Sequence, residues 1–217
     1  VTEGVRQNVD LSLYERDFTR IHDIGAASDW LFDGLDHHHI RMGVQGVGHI
    51  YDPYRKMDMV LKVNSVKYDE AHGSSSLNYL GAEIAPYIED EISLGERLKV
   101  NLGLRDALFL VKGRAYNRLE PRLAIRLDAA PWVSLKASYA KMNQFSHLVS
   151  VCYIDLPTNL WMPSTSRVKP MSADQFVLGA LFTPSEKWNV DIEAFYKKME
   201  HLYEYDGTNS MLPKLDK

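Results

Sequence analysis

The sequence contains a single cysteine, Cys152, in 217 residues, so no intrachain disulfide can form and no thiolate set is available for a metal. It has no apolar run near the roughly 18 residues that a membrane helix needs. No block of lysine and arginine stands out and the net charge is −4, which removes the electrostatic basis for nucleic-acid binding. The opening residues VTEGVRQNVD show neither the basic start nor the apolar stretch of a signal peptide. Fixed-period repeats and Pro-rich or Gly/Ser-rich linkers are missing too. So are a Gly-rich phosphate loop, HExxH and GxSxG, which leaves an enzyme or a bound cofactor without support.

What is present is alternation with a period of two. Ile24, Ala26, Trp30 and Phe32 oppose Asp23, Gly25 and Asp29. Ile40, Met42, Val44 and Ile50 oppose His39, Arg41, Gln45 and His49. The cleanest stretch sets Leu98, Val100, Leu102 and Leu104 against Lys99, Asn101, Gly103 and Arg105. The same holds for Leu123–Leu127, Val133–Tyr139, Phe176–Phe182 and Val190–Tyr196, and less cleanly for Leu77–Glu91, where Pro86 removes a ladder donor. Alternation of this kind predicts strands with one apolar and one polar face. About eight such strands of about ten residues are expected, the length that crosses a bilayer at a tilt.

The connections carry a second pattern. Short ones fall near Asp33–Asp36, Ser93–Arg97, Asp128–Pro131 and Thr183–Lys187; long ones span about Asp52–Ser76, Asp106–Tyr116, Asn143–Met171 and the tail after Glu200. Short turns at one end and long loops at the other match an outer-membrane barrel. Trp30, Phe32, Phe182 and Trp188 lie on the apolar face beside short turns, where an interfacial aromatic girdle belongs. Three readings stay open on pattern alone: a section of a larger membrane barrel, a small autonomous eight-stranded membrane barrel with a structural or adhesive role, and a soluble lipocalin-type barrel with its apolar face inward.

Four stretches bear on that choice: HHIRMGVQG; YLGAEIAPYIEDEISLGERLKVNLGLR; LEPRLAIRLDAAPWVSLKASYAKMNQFSHLVS; and LPTNLWMPSTSRVKPMSADQFVLGALF with NVDIEAFYKKMEHLYEY. In this order they resemble the barrel of TonB-dependent receptors, particularly those of Bacteroidota, from His37 to Tyr205. The resemblance implies an all-β, antiparallel up-and-down transmembrane barrel. Residues 1–217 would be a section of a barrel of roughly 22 strands, with neither plug domain nor signal peptide in the chain. It implies the outer membrane of a Gram-negative bacterium and import of a large scarce solute: siderophore–iron, cobalamin or a glycan. The implied partners are outer-membrane lipid, the plug domain and remaining strands, TonB through an N-terminal region, and, as a further candidate, a surface lipoprotein.

Two groups of residues are candidates for function. Arg105, Glu120, Arg122, Arg126, Lys136, Asp191 and Glu193 fall on the polar face and would line a lumen; of these, Arg122, Arg126 and Lys136 would meet a plug or steer an anionic solute. Phe145, His147, Tyr153 and Trp161 in the longest connection could stack on sugars, macrocycles or siderophore rings, or pack the connection against itself. His37, His38 and His39 are adjacent on a strand entry, so they point in different directions and make a poor metal site.

Overall fold

In the computed structural model of the protein, the described residues are 9–63, 66–76, 78–153, 156–185 and 187–203. They form eleven strands: β1 (Val9–Phe32), β2 (His38–Val63), β3 (Val66–Ser76), β4 (Tyr79–Leu94), β5 (Leu98–Val111), β6 (Arg114–Ala130), β7 (Val133–Gln144), β8 (Ser146–Tyr153), β9 (Leu156–Pro163), β10 (Met171–Ser185) and β11 (Trp188–Glu200). Eight of them pair in the order β1-β2-β4-β5-β6-β7-β10-β11, β3 adds to β2, and β8 pairs with β9 in a separate two-stranded sheet. Every pairing is antiparallel.

Register turns the alternation of single strands into two continuous faces. Directly opposed residues share a face, so one row of neighbours runs Phe32, Ile40, Asp90, Leu102, Leu123, Tyr139, Phe176, Tyr196 across the eight strands. The adjacent row, on the other face, runs Leu31, Arg41, Glu89, Gly103, Arg122, Ala140, Gln175, Lys197. The apolar face is bare: Ile24 is 75% exposed, Leu178 65% and Leu102 46%. Exposed apolar side chains run across all eight strands of this face, whereas a soluble monomer usually keeps contiguous apolar area to a few hundred Å².

The apolar belt runs obliquely to these rows. Trp30, Met42, Ile88, Leu104 and Pro121 lie in a row whose continuation on β7, β10 and β11 is Lys141, Asp174 and Lys198. Nearer the short turns, His38 on β2 continues as Ile92, Val100, Ile125, Ala137, Leu178 and Ala194. A level apolar layer crossed by tilted strands produces this drift.

The connections differ from the sequence expectation. The described residues of 52–76 are strand and not loop: β1 and β2 run on as 24- and 26-residue strands with β3 alongside. At about 3.3 Å per residue they reach about 80 Å, well beyond the roughly 10 residues that span a bilayer. Asp106–Tyr116 is no loop either, because β5 and β6 pair up to Val111 opposite Arg114. The tight turn between them relies on Gly113 at φ 74°, a conformation that costs side-chain-bearing residues energy. The connection 143–171 holds the β8–β9 hairpin. Pro86 lies inside β4, and the β4–β5 pairing skips from Ile84 to Tyr87 around it.

The polar face is covered at its loop end, and the apolar face is not. Tyr51, Ala85, Ala107 and Phe109, all on the polar face, are fully buried under the connection from β7 to β10. A lipocalin-type barrel turns its apolar face inward; this sheet does the opposite. Replacing Leu102 by arginine is therefore expected to cost about 2–4 kcal/mol in urea unfolding of the full-length protein in lipid vesicles. Ser138→Arg, on the polar face, is expected to stay within about 0.5 kcal/mol of the parent. Equal costs for the two would contradict the facing.

Candidate functional site

The register places all seven polar-face candidates on that one face. Near the short turns Lys99, Arg126 and Lys136 stand side by side in a row. Each has its own carboxylate: Glu91 to Lys99 at 3.7 Å, Asp128 to Arg126 at 3.0 Å and Asp191 to Lys136 at 3.7 Å. Glu193 lies opposite Gly179 at the end of the same row. Higher up, Asn101 donates to Glu89 at 2.6 Å. Among the described residues Arg122 makes no hydrogen bond or ion pair, and it opens with Arg41, Gln45 and Tyr87 onto a hollow of about 320 Å³.

Towards the loop end the face becomes an enclosed network. Arg105 donates through Nη2 to Glu83 at 2.6 Å and through Nη1 to Glu120 at 2.9 Å. Glu120 is only 3% exposed. Its other oxygen accepts the Asn143 backbone amide at 2.8 Å and the Asn143 side chain at 3.3 Å. One carboxylate thus anchors the point where β7 ends and the connection begins. Charge-assisted bonds of this kind are among the stronger ones a protein makes.

From that anchor the connection folds over an aromatic seat. Phe145 stacks on Phe109 at 4.9 Å between ring centroids with the planes 9° apart. Gly81 makes this possible, since a Cβ there would sit 3.0 Å from the Phe109 ring. Ser146 Oγ and Tyr51 Oη are 2.5 Å apart, Tyr116 donates to the Thr165 carbonyl, and the Ser164 amide donates to the Phe145 carbonyl at 2.7 Å. His147 is 2% exposed with Nε2 at 2.8 Å from Ser164 Oγ. Burial pushes its imidazole down to about 4.

The loop candidates therefore divide. Phe145 and His147 are interior residues that hold the connection to the sheet, so in this arrangement they are not available to stack on a solute; aromatic and imidazole groups satisfy packing as readily as ligands. Trp161 is half-buried opposite Leu148 across the β8–β9 ladder. The side chains of Tyr153 and Cys152 lie outside the described residues. The three histidines part company: His38 Nδ1 lies 2.7 Å from Asp90, His39 Nδ1 lies 2.9 Å from Asp33, and His37 takes the turn at φ 69°. Sequence reading missed Tyr51, Glu83, Phe109 and Tyr116 as the seat. The usable signal was an aromatic residue on the polar phase of its strand, as with Phe109 between Ala107 and Val111.

Compared with known proteins, residues 3–214 match the family described as TonB dependent receptor-like, beta-barrel. No curated protein sequence matches. Among solved structures, the alcaligin outer membrane receptor FauA from Bordetella pertussis aligns at 12% identity and a TM-score of 0.38, over 89% of this chain and 37% of that one. The chain thus spans little more than a third of that structure.

Removing the Arg105 guanidinium leaves Glu120 as a buried carboxylate without its charge partner. Arg105→Met is expected to cost about 2–4 kcal/mol, softened by the partial exposure of the arginine. Adding Glu120→Gln, which removes the charge and keeps an acceptor for Asn143, is expected to restore at least half. Urea unfolding followed by cleavage after Arg167 checks both, and a double variant weaker than Arg105→Met alone would count against the network.

Proposed function

The chain belongs to the TonB-dependent receptor-like β-barrel family, and from that premise we propose that it supplies wall and outer loops of a receptor importing a large scarce solute. Residues 1–217 are then part of the barrel domain of a longer protein in the outer membrane of a Gram-negative bacterium. Lipid covers the apolar face, a plug domain and further strands complete the barrel, and TonB acts on the plug to drive release. The family is one of receptors and transporters, not of enzymes.

One observation carries this reading: the loop end of the polar face is covered by the protein's own connection, while the apolar face of eight strands is bare. The chemistry of the polar face adds to it. Lys99, Arg126 and Lys136 are each neutralised by a neighbouring carboxylate, so the lower part of the face is not an anion-steering surface. Paired charges and amides suit a wet contact with a folded plug. Arg122, beside the hollow and without a carboxylate partner among the described residues, is the cation placed to meet a solute or an acidic plug residue; Arg41 beside it has Asp29 at 3.7 Å. The solute classes that fit are siderophore–iron, cobalamin and glycan, and a surface lipoprotein is the partner expected for glycan capture.

Deleting the full-length gene is expected to abolish growth on one of these solutes when it is scarce, and to leave growth on the others intact. Loss of TonB is expected to give the same phenotype for that solute. Unchanged growth on all three would overturn the importer assignment.

A further inference from the structure

The two described arms of the connection between β7 and β10, residues 143–148 and 161–170, lie over the loop end of the polar face. One imidazole joins the two arms to each other and to a residue after β11. His147 is 2% exposed, its Nε2 faces Ser164 Oγ of the opposite arm at 2.8 Å, and its ring meets the edge of Tyr203 at 5.3 Å. Its Nδ1 is buried with no hydrogen-bond partner among the described residues. The neutral ring fits best with its proton on Nε2, donated to Ser164, which leaves Nδ1 a bare acceptor. A second proton must enter at Nδ1, where no acceptor meets it, and puts a full charge into apolar surroundings.

Among the described residues, none offers that charge compensation. Met162, directly across the β8–β9 ladder, is apolar. Tyr203 follows β11; on β2, Tyr51 meets Ser146, the residue before His147, and His49 is held by Asp23 of β1 at 2.7 Å. The carboxylates of Glu83 on β4 and Glu120 on β6 are both engaged by Arg105 of β5. On the second arm the charged residues are Arg167 and Lys169, both cations.

We propose that His147 is the pH-operated catch of this connection: when its ring takes a second proton, the arms leave the polar face and uncover the aromatic seat. The inference goes beyond import itself and rests on that reading only for placing the connection at the outer side of the membrane. The direction follows from linkage. Burial holds the docked imidazole at about 4 against 6.5 when free. A histidine lowered in this way contributes stability that is fully present above 6.5 and is lost as pH falls from there towards 4. Between about pH 7.5 and about pH 5, the ratio of docked to released arms is expected to fall by about thirty-fold.

The test uses the full-length receptor in lipid vesicles with Cys152→Ser, spin-labelled at Ser166→Cys on the second arm and Lys112→Cys at the β5–β6 turn, both exposed positions. Pulsed dipolar distances do not depend on thiol or amide chemistry and so can be compared across pH. A second, longer distance is expected to grow on acidification, to stop growing with pH in His147→Gln, and to persist in His49→Gln. The same pH response in His147→Gln, or its loss in His49→Gln instead, would overturn the proposal. If docking is too complete to resolve at both pH values, Phe145→Leu loosens the seat and brings the ratio into range; no pH response in that background is also contradictory. Solute-limited growth at neutral pH reports on import independently, so failure of one reading is distinguishable from failure of the other.

Discussion

A bilayer core gives a backbone amide nothing to bond to, so every peptide group within it must find its partner on a neighbouring strand. The rest of this structure follows from that constraint. Antiparallel pairing satisfies the amides, pairing sets register, and register gathers eight alternating strands into one apolar and one polar face. A slip of a single residue anywhere would exchange the faces of a strand. The sheet tolerates local interruptions: Pro86 in β4 has no amide to give and the ladder steps around it, and the register shifts at Leu61/Lys62, Asp128/Ala130 and Phe182/Ser185.

The two faces are stabilised by different physics. On the apolar face single residues matter little to their neighbours and a great deal to the solvent they meet. On the polar face the value lies in pairs: Arg105 with Glu83 and Glu120, Lys136 with Asp191, Arg126 with Asp128. Near the short turns these pairs are half-exposed and each contributes little by itself. Around Glu120 they are enclosed, and there the same chemistry fixes the route of a whole connection. A gradient therefore runs along the polar face, from solvated pairs at one end to a closed aromatic and carboxylate network at the other.

How much of this was readable in the sequence depended on the range of the interaction. Leu98–Arg105 gave its strand, its two faces and its short turn, because a period of two is a property of adjacent residues. The polar-face grouping of Arg122, Arg126 and Lys136 was legible for the same reason. What was hidden depended on partners far away in the chain. Nothing near Phe145 or His147 announces that Phe109, Tyr51 and Ser164 will bury them, so they read as residues facing a solute. Likewise 52–76 and 106–116 carry charged and small residues that resemble loops; above a membrane, strands need not alternate cleanly, since both faces meet water or loops.

The claim on which everything else rests is that the even-numbered residues of β5 meet lipid and the odd-numbered ones face inward. It can be measured directly by placing a nitroxide at each position from Leu98 to Arg105 of the full-length receptor in vesicles. Collision rates with oxygen, which concentrates in lipid, are then compared with those of a water-soluble nickel chelate. The account predicts oxygen maxima at positions 98, 100, 102 and 104 and oxygen minima at 99, 101, 103 and 105. Maxima at the odd positions, or no period of two at all, would contradict it.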